Sequence, residues 1–126
     1  MNDVVNHPQH YTQTRIECIE VVRCLAFSEG NAIKYIHRHR DKGKPIEDLR
    51  KALWYLNDAK NYPIVTKMLT KVDFPSLGEE YLTVLTEMGM PNDLVRAVDE
   101  ILFGDMDRAV VFINREIDRL SEDEEP

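Results

Sequence analysis

Long apolar runs are missing from this chain of 126 residues. No stretch of about 18 apolar residues occurs, so no membrane-spanning helix is expected. The opening MNDVVNHPQH has neither the basic region nor the apolar region of a secretory signal, which predicts a cytoplasmic protein. Cysteine is scarce. Cys18 and Cys24 fall within one expected helix. A rise of about 1.5 Å per residue sets their Cα atoms about 9 Å apart, too far for a disulfide. That fits a reducing compartment. The chain also lacks a glycine-rich Walker loop, an HExxH pair and any recognisable Ser/His/Asp arrangement. Neither β alternation nor an internal repeat is visible.

What remains is charge and helical periodicity. The net charge of −7 is divided unevenly. Residues 1–63 carry ten Lys/Arg against eight Asp/Glu, and residues 64–126 carry six against fifteen. An acidic total argues against general binding to a nucleic-acid backbone. The local cationic excess from Lys34 to Lys51 suits a small anion better.

The apolar spacing predicts an all-α fold, a compact helical core followed by a helical C-terminal half. Residues 1–62 form an N-terminal arm and helical region, and residues 63–126 an acidic helical region, within the same domain or as an appendage. The expected helices run from Ile16 to Phe27, from Asn31 to about Asp41 and from Ile46 to about Lys60. Ser28-Glu29-Gly30 reads as a break and Asn31 as an N-cap. A short helix is expected over Ile64–Val72, then a turn at Phe74-Pro75-Ser76. Further helices span Leu77–Met88, Pro91 to Gly104 and Met106–Leu120, with SEDEEP as a solvated tail. The broad apolar surface of Ile16–Phe27 and the long 106–120 stripe predict a homo-oligomer.

On the second helix, Asn31, Lys34, Tyr35, Arg38 and Lys42 fall within roughly 100° of one another. An amide, a phenol and three cations behind a glycine have the chemistry to hold phosphate. The competing readings are a capping role for Asn31, a solvated face for Lys34 and Arg38, and macrodipole pairing for Lys42. Asp48, Lys51 and Tyr55 form one edge of the third helix. His7, His10 and Tyr11 read as ligand-contacting or arm-docking groups. Trp54 lies off the apolar centre of its helix and reads as a residue packing against another subunit or the C-terminal half. With His37 and His39 on different sides of a helix, no metal site is expected.

HPQHY at residues 7–11, IECIEVV, GNAIKYIHRHRDKG and EDLRKALWYL together resemble a small phage family. That family, long catalogued only as a domain of unknown function, includes a nucleotide kinase without a P-loop. The resemblance spans about residues 5–60. It implies phosphorylation of a deoxynucleoside monophosphate from a nucleoside triphosphate, inside an infected cell. The matching positions are His7, Pro8, His10, Tyr11, Glu17, Asn31, Lys34, Tyr35, Arg38, Lys42, Gly43, Asp48, Lys51 and Tyr55. Phosphoryl transfer needs positioning and neutralised oxygens, so Lys34, Arg38 and His10 are the expected catalytic groups. His7, Tyr11, Asn31, Tyr35, Lys42, Asp48, Lys51 and Tyr55 would bind the nucleotide. No cofactor is fixed, and magnesium would arrive with the nucleotide.

Two alternatives stand beside the kinase. One is an all-α nucleoside triphosphate pyrophosphatase, for which Glu17 and Glu20, with Glu47, Asp48 and Asp58, are the available carboxylates. The other is a non-catalytic counter-defence protein. It would sequester a nucleotide, or use its acidic C-terminal half to inhibit a host protein.

Overall fold

The computed structural model of the chain describes residues 16–41, 43–62 and 74–124. Among these are six helices and no strand: α1 Cys18–Val22, α2 Phe27–His37, α3 Pro45–Asn61, α4 Phe74–Glu87, α5 Asn92–Phe103 and α6 Met106–Glu124. The all-α expectation is met. The expected helix over Ile64–Val72 lies outside the described residues.

The α2–α3 pair packs against the α5–α6 pair through contacts of α3 with α6 and of α2 with α5. The remaining helices close one end, α1 on α2 and α4 on both α5 and α1. Ile33, Ile36, Leu49, Leu56, Leu85, Leu94, Val98 and Ile113 meet in one apolar cluster that draws on both halves of the chain. Each is fully buried. Side chains of this size contribute about 1.5–3 kcal/mol apiece when taken from water.

The first expected helix is divided. It ends at Val22, and the i+3 bonds Cys24 N to Val21 O and Leu25 N to Val22 O tighten the chain into a turn. A capping box of Glu17 and Glu20 begins it. The apolar residues of this segment are therefore shared between one short helix, in which only Val21 is buried, and the turn that follows it.

Ser28-Glu29-Gly30 does not break the chain. It lies inside α2, which starts at Phe27 after Ala26. A Cβ on Gly30 would stand 3.1 Å from the Val22 carbonyl oxygen, so this glycine permits close approach of α1. Asn31 is consequently not an N-cap. It sits one turn in, donating from Nδ2 to the Phe27 carbonyl at 2.8 Å.

Three other boundaries move. α2 stops at His37, a turn earlier than expected. Residues 74–76 open α4 instead of forming a turn, consistent with proline's tolerance in a first helical turn. Ser121–Glu124 continue α6 instead of joining a free tail, where Arg119 reaches Glu116 and Asp123 across successive turns. Gly104, at φ 101°, closes α5 as expected.

Candidate functional site

The α2–α3 seam gathers the sequence motifs. Lys34 on α2 and Arg38 at its C-cap are one helical turn apart, with Tyr35 between them. Asp48, Lys51 and Tyr55 repeat along the facing edge of α3. The two helices interlock through rings: Tyr35 stacks on Tyr55 with centroids 5.8 Å apart and planes 15° from parallel.

Three cations surround the Tyr35 ring. The Arg38 guanidinium carbon lies 4.7 Å from its centroid, Lys51 Nζ 5.5 Å and Lys34 Nζ 5.6 Å. A phenol face attracts each cation, which partly offsets their mutual repulsion. Beneath them, Asp48 is buried, with Oδ2 3.6 Å from Arg38 Nε. That nitrogen is itself buried and has no hydrogen-bond partner among the described residues. The carboxylate therefore holds Arg38 by charge, leaving donor capacity uncommitted.

An aromatic ledge continues from this point. Tyr55 meets the edges of Phe27, at 6.0 Å, and Trp54, at 5.1 Å. Phe27 is 71% exposed and Trp54 63%. Both escape a search for polar stripes, and Phe27 reads from sequence as a helix end. The usable signal is Trp54 itself, an indole placed off the apolar stripe of its helix; within the described residues its ring meets Tyr55 and is not buried against the C-terminal half.

The structure thus assembles Lys34, Tyr35, Arg38, Asp48, Lys51 and Tyr55. Asn31 stands a turn away. It lines a groove of about 260 Å³ between α1 and α2, with Ile19, Val22, Leu25, Phe27 and Lys34. His7, His10, Tyr11 and Lys42 lie outside the described residues.

The other ionisable groups are engaged elsewhere. His37 Nδ1 lies 2.7 Å from the buried Tyr81 hydroxyl, and His39 Nδ1 lies 2.7 Å from the Ile36 carbonyl. Burial lowers the pKa of both imidazoles. Burial likewise raises the Cys18 thiol and the Tyr81 phenol, which keeps both protonated. Glu17 and Glu20 cap α1, Asp58 accepts from Ser28 Oγ at 2.5 Å, and Glu47 lies near Lys44 and Lys51. Among the described residues no three His, Cys, Asp or Glu side chains are placed to hold a metal ion. No described helix is long and apolar enough to cross a membrane.

Residues 5–57 match the model of a family described as a protein of unknown function (DUF3310). That segment includes α1, α2, most of α3 and every described residue of the seam. No curated protein and no solved structure matches the chain.

Proposed function

We propose that the α2–α3 seam binds a nucleotide and that the protein is a nucleoside monophosphate kinase. The observation carrying this reading is the convergence of Lys34, Arg38 and Lys51 on the Tyr35 ring above buried Asp48. Three cations gathered on one ring suit a dianion. The exposed ring of Phe27 offers apolar surface for a base within the same ledge.

The reaction is the one implied by the resemblance to a phage family that includes a nucleotide kinase. An oxygen of the acceptor monophosphate attacks the γ-phosphorus of a nucleoside triphosphate. The bond from that phosphorus to the β,γ-bridging oxygen breaks, and two diphosphates result. The attacking oxygen is already ionised at neutral pH, so the step depends on positioning and charge neutralisation more than on a base. The pyrophosphatase alternative is weaker here, because Glu17 and Glu20 cap α1, Asp58 accepts from Ser28 and Asp48 faces Arg38.

Incubation with paired nucleoside mono- and triphosphates, followed by chromatography, tests the reading. Diphosphates from the pair are expected. Unchanged substrates with every pair, with and without magnesium, would reject a kinase. Bound nucleotide without turnover would point to sequestration.

A further inference from the structure

A second cleft, of about 740 Å³, opens at the start of α3. Its lining includes Lys44, Glu47, Arg50, Lys51 and Trp54, with Ser121 of α6 on the other side. The volume is within the usual range for small-ligand sites, about 300–1,000 Å³. Three of these side chains are cations and one is a carboxylate. Glu47 lies 3.9 Å from Lys44 and 3.7 Å from Lys51, and all three are well exposed. Such surface pairs are weak and exchange readily for a more highly charged anion. Trp54, the chain's single tryptophan, borders the cations and is largely exposed.

The geometry points to this cleft as a second nucleotide site, for a nucleoside polyphosphate with its base on Trp54 and its phosphates on Lys44, Arg50 and Lys51. An indole face beside several cations matches a molecule that is aromatic at one end and polyanionic at the other. The excess of cations over carboxylate favours a polyphosphate over a monophosphate. The cleft adjoins the first site. Lys51 lines it while lying 5.5 Å from the Tyr35 centroid, and Trp54 touches Tyr55, which stacks on Tyr35. Phosphates entering from the two sides would meet at Lys51. The inference rests on the proposed function for the identity of the first site; as a binding site it stands on its own residues.

The single tryptophan makes the cleft directly observable. The full-length protein is titrated with ATP and with the deoxynucleoside triphosphates while Trp54 fluorescence is followed, and inorganic tripolyphosphate is added as competitor. Saturable quenching is expected, reversed by tripolyphosphate. Lys44→Ala and Arg50→Ala change exposed side chains, so helicity by circular dichroism should be kept while the triphosphate Kd rises tenfold or more. Monophosphate binding measured by calorimetry should change less than about twofold in these variants, whereas Arg38→Ala should show the reverse pattern. Absence of quenching by every triphosphate, or quenching indifferent to Lys44→Ala and Arg50→Ala, overturns the cleft. Loss of monophosphate binding alone, with Arg50-dependent quenching kept, would instead overturn the first site and leave the cleft in place.

Discussion

Tyr35 on α2 and Tyr55 on α3 stack with centroids 5.8 Å apart, so the cationic face of one helix is registered on the other by a ring contact. Such pairs contribute about 0.5–1.5 kcal/mol beyond the area they bury. Tyr55→Leu keeps apolar bulk but removes the stack and the edges offered to Phe27 and Trp54. We expect a loss of about 1 kcal/mol in urea unfolding, with nucleotide binding weakened several-fold. Weakened stability with unchanged binding would reduce the stack to packing alone.

Arg38 carries both charge and structure. Charge-assisted hydrogen bonds to phosphate contribute about 1.5–3 kcal/mol each, so Arg38→Ala should weaken binding tenfold or more. Arg40, exposed beyond the end of α2, is the control and should matter little. Arg38→Ala also strands the buried carboxylate of Asp48, a separate destabilisation of about 1–3 kcal/mol. Adding Asp48→Asn should recover stability without recovering binding. Recovery of binding in the double variant would show that the guanidinium is not a ligand group.

Gly30 separates what periodicity can show from what only packing shows. The apolar spacing of α3, α5 and α6 is strongly helical, and those elements lie within a few residues of their expected limits. The Lys34–Tyr35–Arg38 stripe and the Asp48–Lys51–Tyr55 edge were legible for the same reason, as each belongs to one helix. Their juxtaposition was not, nor were the roles of Phe27 and Trp54, because contacts between helices leave no spacing rule. A glycine after Ser-Glu looks like a break, while its actual constraint is the Val22 carbonyl of another helix. The two readings diverge for Gly30→Ala. Relief of helix propensity alone would stabilise by about 1 kcal/mol. Overpacking against a backbone oxygen at 3.1 Å costs about 1–3 kcal/mol. We expect net destabilisation, read as a lower urea midpoint; a raised midpoint would show that α1 yields freely.

Stability should fall on mild acidification. Burial lowers the folded pKa of His37 and His39, so their imidazoles stay neutral in the native state to a lower pH than in the unfolded chain. The unfolded state then binds more protons, and stability declines as pH falls from about 6.5 through the depressed folded values. The slope can reach about 1.4 kcal/mol per pH unit for each histidine. His37→Gln should flatten part of that decline, with the Tyr81 hydroxyl still offered a polar partner. Identical slopes for wild type and variant between pH 7 and 5 would exclude His37 from the linkage.

Lys34 and Lys51 both approach the Tyr35 ring, but only Lys51 also lines the cleft at the start of α3. Lys34 instead borders the α1–α2 groove beside Asn31. A cation between two phosphate chains interacts most strongly with charge developing on the transferred group, whereas one at the outer side of a single site holds substrate and transition state alike. Lys51→Ala should therefore reduce kcat about a hundredfold or more, the scale for losing a donor aimed at developing charge. Lys34→Ala should act chiefly by raising KM for the monophosphate. Glu47→Gln supplies the complementary case, removing the carboxylate 3.7 Å from Lys51. With that competitor gone, triphosphate should bind more tightly, and more so at low salt. Steady-state kinetics with both substrates varied decides the matter: if Lys51→Ala alters KM alone, Lys51 is a binding cation of one site and not the point where the two phosphate chains meet.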